Sequence, residues 1–305
     1  MQQSWSGKKV LVTGGTGFIG SFVVERLLDE GATVRVPLRA ENFRALSSRR
    51  AEIEWLEGDL RDSEYCIRLV EGMDEVFHLA SSRRNTEYHL KRPSDVMNEN
   101  VRMTLALIDA VREHPVPVTF FSSANVPPTM DILALAQAEK VDGYVLGKTL
   151  CETLWFTAAH QRKFPLLIVR PVGVYGPRDT FKEDANLIPA LMVQTRDAKT
   201  SLKIRGAGNR ERAFLYVEDL VDALFRLREA DAQGVQYVTT HEVVTVQELA
   251  EQIRDLVNPD LPIEFDTSKT ITQRAIPVLA PHDVLTEITW TTLDDGLKKT
   301  YAFWR

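Results

Sequence analysis

The chain reads as an α/β protein built on a doubly wound parallel sheet, with a smaller lobe towards the C-terminus. Short apolar strands alternate with amphipathic helices as far as Arg170. A glycine-rich loop, Thr13-Gly14-Gly15-Thr16-Gly17-Phe18-Ile19-Gly20, follows the first strand and opens the first helix. Beyond Pro171 the alternation weakens, and Pro or Gly recurs at 171, 173, 176, 177, 206 and 208.

Val10-Leu11-Val12 predicts a short buried strand, and the 3.6-residue apolar period predicts a helix from Phe18 to Glu30, closed by Gly31. Strands follow at 34–38 and 53–56, a helix at 63–70, and a strand at 75–79. A helix at 100–112, a strand at 118–122, a helix at 144–162 and a strand at 166–170 complete the alternation. Such alternation requires a parallel sheet covered on both faces. Residues 1–175 form the sheet domain on this reading, the chain returns to it around 217–244, and residues 176–305 supply the smaller lobe.

At 305 residues, with 44% hydrophobic and 26% charged content, the chain has the composition of a soluble globular protein. Its net charge of −6 and pI near 5.6 provide no basic field for nucleic acid or an anionic membrane. Cys66 and Cys151 are too few for a disulfide framework and lack metal-ligand spacing, so no metal is expected. No apolar run reaches spanning length, and the polar start, Met1 to Lys9, is no signal peptide. A cytoplasmic location is the expectation.

Tyr144-Val145-Leu146-Gly147-Lys148 carries the chemistry. A Tyr and a Lys four positions apart share one helix face, so the ammonium stabilises a phenolate one turn away. That pair suits carbonyl/alcohol interconversion. The glycine loop upstream supplies the partner. Gly14 permits a tight turn, Gly17 lets the backbone approach a diphosphate, and Gly20 allows close packing. The helix start at Phe18 and Ile19 then offers free N–H groups and a positive dipole end. At the end of the second strand, where a ribose-binding acid is expected, stand Leu38 and Arg39. A guanidinium without a carboxylate favours a 2′-phosphate, hence NADP, with NAD as the alternative and Arg35 as a possible helper.

With these motifs in place, the sequence resembles the extended short-chain dehydrogenase/reductases of the nucleotide-sugar epimerase and reductase group, over nearly its whole length. The resemblance implies a Rossmann-like sheet domain and a substrate-binding C-terminal lobe. Gly58-Asp59-Leu60 is similar to the family's adenine-side turn, and His78-Leu79-Ala80-Ser81 to its fourth-strand end beside the cofactor. Phe121-Ser122-Ser123-Ala124 resembles the segment whose last Ser, here Ser123, bonds the reacting oxygen. Arg170 to Pro177, with Pro171 and Val174, resembles the segment by the nicotinamide. For the substrate, a nucleotide-diphosphate sugar, the resemblance implies Asn186, Arg212 and Arg274 as diphosphate ligands, although Ile276-Pro277 replaces the usual Gly-Asp.

The departures narrow the chemistry. The dehydratases of the family carry an Asp-Glu pair where this chain has Ala124 and Asn125, and its decarboxylases keep the Glu. Relatives resembling GDP-fucose synthase place a Cys at Ala124. Ketone/alcohol chemistry with Ser123, Tyr144 and Lys148 survives. An NADPH-dependent 4-keto-sugar reductase is the favoured reading. The alternatives are a 4-epimerase with tightly bound NAD, a reductase of small apolar ketones similar to dihydroflavonol reductases, and a non-catalytic NADP-sensing protein. Ser81 to Asn98, with Arg83, Arg84, Lys91 and Arg92, reads as a lid or as a solvated basic loop. Tyr175 and Tyr216 read as pocket lining or as core. Leu150, Leu154, Trp155 and Phe156 suggest a homodimer formed through the 100–112 and 144–162 helices, as in the family.

Overall fold

In the computed structural model, residues 5–39, 44–82, 86–128, 131–182, 185–268 and 282–305 are described. Two compact units result, one comprising Met1–Arg170 and Leu224–Tyr237, the other Pro171–Ala223 and Val238–Arg305.

The first unit follows the expected alternation: β1 Lys9–Thr13, α1 Phe18–Asp29, β2 Thr33–Leu38, β3 Ile53–Glu57, α2 Ser63–Val70 and β4 Glu75–His78. Then come α3 Thr86–Lys91, α4 Pro93–Glu113, β5 Val118–Phe121, α5 Ile132–Ala136, α6 Gly143–Arg162 and β6 Leu166–Pro171. After an excursion into the second unit, α8 (Val217–Glu229) leads back to β10 (Gly234–Val238). Among the described residues the strands order as β10-β6-β5-β4-β1-β2-β3, and the pairs from β3 through β6 are parallel. Strands β4, β5 and β6 are buried along their whole length, as a sheet covered on both faces demands.

The helix expected at 100–112 begins earlier, at Pro93, which sits in its first turn and there needs no amide hydrogen. With α3 ahead of it, the segment read as a lid or basic loop is largely helical. Lys91 and Arg92 pair with Glu87 and Asp95 on the surface. Arg83 and Arg84 lie outside the described residues. Trp155 is fully buried among Phe120, Phe164 and the α2 and α4 side chains, so it is core, while Leu154 and Phe156 pack partly buried against it.

In the second unit, β7 Gly173–Tyr175 pairs with β9 Glu211–Tyr216, which also takes β11 Val243–Thr245. A parallel pair joins β8 Leu202–Arg205 to β12 Ile263–Asp266. Helices α7 Leu187–Asp197, α9 Val246–Val257 and α10 Leu293–Trp304 pack with them around Tyr175, Met192, Leu249 and Leu297. A reciprocal cap starts α9, with Thr245 and Glu248 each bonding the other's backbone amide. Tyr175 and Tyr216 are both buried here, which makes them core side chains rather than pocket lining.

Candidate active site

The glycine loop closes on the end of β4. Gly14 adopts φ +73°, and a Cβ there would lie 2.7 Å from the Ala80 nitrogen, so only glycine lets the two turns touch. A Cβ on Gly20 would lie 2.1 Å from the Gly14 carbonyl oxygen, so α1 could not approach the loop. The Gly17 amide donates to the Gly14 carbonyl at 2.9 Å, and Gly17 is exposed. Gly17 at the N-cap provides no side-chain cap, and the first turn of α1 holds no acidic residue. The amides at Phe18 and Ile19 therefore present a partial positive charge suited to a phosphate.

The β4 end is held from two sides. Thr13 Oγ1 lies 2.8 Å from His78 Nδ1 and accepts from the Ala80 amide at 3.2 Å, and the Leu79 amide donates to the Thr13 carbonyl. Burial, with a smaller effect from Lys148, pushes the His78 imidazole down to about 3, so it is neutral. Asn100, buried on α4, accepts from Ser81 Oγ and the Ser82 amide and donates to the Ser82 and Val96 carbonyls. Nothing in the local sequence marked Asn100 for this role, because a lone Asn near a helix start reads equally as a cap.

At the adenosine end, the Gly58 amide donates to the Leu38 carbonyl, bringing the Gly58-Asp59-Leu60 turn beside Arg39. The Arg61 guanidinium, and more weakly Arg39, hold the Asp59 carboxyl below the usual range. Arg39 itself is exposed. Arg35 is engaged elsewhere: it donates to the Arg68, Leu69 and Glu71 carbonyls at the end of α2 and pairs with Glu54 at 2.9 Å, so it is not a helper of Arg39.

Helix α6 carries Tyr144 and Lys148, and Asp142 starts it by accepting from the Tyr144 and Val145 amides. Lys148 is 2% exposed, and its ammonium donates to the Phe121 carbonyl at 2.6 Å. The same ammonium lies 4.7 Å from the Phe120 ring centroid and 5.9 Å from that of Tyr144. One turn on, Glu152 accepts from Ser122 Oγ and holds Arg170 in a buried fork, whose other arm meets the Tyr237 hydroxyl. Two side chains of α6 thus fasten it to Phe121, the last residue of β5, and to Ser122 just beyond it. Ser123 follows at once, its Oγ accepting from the Asn125 amide at 3.2 Å, which leaves its own proton to donate. His89 of α3 lies flat against the Tyr144 ring, a contact that no local pattern announced.

Pro171 ends β6, and Val174 lies half-buried on β7 of the second unit. Asn186 precedes α7 and donates to Asp179 at 3.2 Å. Arg212 is half-buried on β9, opposite Val244. Arg210, two residues earlier, is also half-buried, and burial lowers its pKa. Arg274 lies outside the described residues. Among those described, no His, Cys, Asp or Glu cluster suits a metal ion, and no helix is long and apolar enough to cross a membrane.

Known proteins resemble the chain in sequence and in fold. A dTDP-4-dehydro-6-deoxy-D-allose reductase of Streptomyces bikiniensis is 30% identical over 285 residues, covering 88% of this chain and 86% of its own. A GDP-mannose 3,5-epimerase of Arabidopsis thaliana is 27% identical over 279 residues, covering 86% and 73%. The solved UDP-glucose 4-epimerase of Thermotoga maritima superposes with a TM-score of 0.80 over 97% of this chain and 98% of its own, at 22% identity, a likeness of fold. The profile of the NAD dependent epimerase/dehydratase family matches residues 10–240. The chain, an α/β protein with a seven-stranded sheet, belongs to that family of enzymes.

Proposed function

We propose that this protein is an NADPH-dependent reductase of a nucleotide-diphosphate-linked 4-keto sugar. The observation that carries the reading is the buried Lys148 ammonium, pinned to the Phe121 carbonyl one helical turn from Tyr144 and beside the Ser123 turn. Tyr144 delivers its phenolic proton to the carbonyl oxygen, Ser123 donates a hydrogen bond to the same oxygen, and Lys148 stabilises the phenolate left behind. When bound, the reduced nicotinamide supplies the hydride. The amides of Phe18 and Ile19 hold its diphosphate. Gly14, Gly17, Leu79, Ala80 and Ser81 line the same loop pair, with Asp59 and Leu60 at the adenosine end. Pro171 and Val174 are assigned to the nicotinamide side. Asn186, Arg212 and Arg274 bind the substrate diphosphate, for which the guanidinium fork is suited.

Arg39, exposed at the end of β2 with no carboxylate in its place, supports NADP over NAD. The competing reading is a 4-epimerase with resident NAD, favoured by the solved structures of UDP-glucose 4-epimerases with similar folds, one from Thermus thermophilus complexed with NAD. A homodimer through α4 and α6 is supported by Leu105, 43% exposed on α4, and the half-buried Leu150 and Leu154 on α6. A monomeric mass in solution would count against it.

The test is to denature fresh protein and identify the released small molecules. Empty protein that binds NADPH far more tightly than NADH, and loses that preference in Arg39→Ala, is the expected result. Stoichiometric NAD would establish the epimerase reading instead. Tyr144→Phe is expected to abolish turnover of a dTDP-linked 4-keto-6-deoxyhexose, by about a thousandfold or more, with NADPH binding intact.

A further inference from the structure

Helix α3 buries the wrong residue for its composition. His89 is 5% exposed, while its neighbours Tyr88 and Leu90 are 36% and 38% exposed. Hydrophobicity alone would turn the helix the other way. What the imidazole meets is the face of Tyr144: the two ring centroids are 5.1 Å apart and the planes 13° from parallel, within the range of favourable aromatic contact. Its Nδ1 also lies 3.8 Å from Asp142 Oδ1, too far for a hydrogen bond. That carboxylate already accepts from the Tyr144 and Val145 amides. The backbone of Tyr144 is thus fixed by Asp142 and its ring by His89.

We propose that His89 is a positioning residue, which holds the Tyr144 phenol in line for proton transfer. The phenol oxygen lies on the axis of the second side-chain torsion, so only rotation about the first displaces it. That swing carries the phenol off the imidazole and forfeits the stacked contact. Lys148, rigidly held on Phe121, then faces a phenol whose oxygen stays in place. An error of about an ångström in such an alignment costs up to about a hundredfold in rate.

This proposal rests on Tyr144 being the proton donor, and the test separates the two ideas. Protein labelled with meta-fluorotyrosine gives a Tyr144 resonance identified by its loss in Tyr144→Phe. His89→Ala is expected to shift and broaden that resonance, and His89→Phe, which keeps a ring, to leave it narrow. In reduction of a dTDP-linked 4-keto-6-deoxyhexose by NADPH, His89→Ala should lower kcat about tenfold, with sugar KM and NADPH Kd within about twofold. His89→Phe should recover kcat to within about threefold of the parent. An unmoved resonance or an unchanged kcat in His89→Ala overturns the proposal. So does a His89→Phe enzyme as slow as His89→Ala, because the ring would then not be what matters. Should His89→Ala fail to accumulate, His89→Leu fills the space without an aromatic face and carries the same expectations. Full activity in Tyr144→Phe would sink the proton-donor reading instead, with the resonance test still deciding the stack.

Discussion

At the end of β4 an imidazole is wholly enclosed, in contact with Phe120 and Trp155 and bonded to Thr13. Burial lowers the folded pKa of His78 to about 3, against 6.5 when free. The unfolded chain therefore binds a proton there that the folded chain refuses. Stability from this group is fully present above about pH 6.5 and falls as pH drops towards 3, at up to about 1.4 kcal/mol per pH unit. Urea unfolding followed from neutral pH downwards should show that slope, and His78→Asn, which does not titrate, should flatten it. An unchanged acid slope in the variant would refute the assignment. The residue scale is also where the sequence was least even. Tyr144, Lys148 and the glycines stand in spaced motifs, whereas His89 and Asn100 act through a packing contact and a bridged loop that leave no local signature.

Helix α6 meets α4 through Gly143 and Gly147. A Cβ on Gly143 would lie 2.2 Å from the Pro93 carbonyl oxygen, whereas one on Gly147 would lie 3.2 Å from the Met97 Cα. Alanine gains about 1 kcal/mol of helix propensity over glycine in a helix interior, and overpacking costs about 1–3 kcal/mol. Gly147→Ala should thus be close to neutral, and Gly143→Ala clearly destabilising. Paired thermal unfolding curves check this, and equal shifts would contradict it. The close approach to Met97 shows that Gly147 serves packing. At this scale the strands β1 to β6 were legible from apolar runs and glycine stops. The start of α4 was not, because Ser94, Asp95, Asn98 and Glu99 interrupt its apolar period until Val101. Helix α3, at six residues, is too short to show a period at all.

Across the first unit, the returning segment carries more than a strand. Arg228 of α8, 2% exposed, donates to Glu75 at 2.6 Å, and Glu75 is fully buried at the start of β4. Burial pushes the Glu75 carboxyl up, and Arg228 opposes it. Arg228→Ala should cost about 3–5 kcal/mol, because it leaves a buried carboxylate unpaired, while replacing both residues by Leu should recover much of the loss. Chemical denaturation of the single and double variants decides between pairing and plain packing. The returning segment of the first unit is Leu224–Tyr237, and the pairing it brings was not legible, since neither an Arg nor a Glu reveals its distant partner. The late arrival of β10 has a consequence during synthesis. The ribosome finishes β6 and then makes the first segment of the second unit before Gly234 emerges. Throughout that interval β6, buried along its whole length in the finished fold, is the open edge of the sheet, while Glu75 waits for Arg228 and Arg170 for Tyr237. An open strand edge is a template for mispairing. A chain stalled before Gly234 should accordingly expose that strand to chaperones and proteases, and the first unit completes its sheet only after residues 171–223 have left the tunnel.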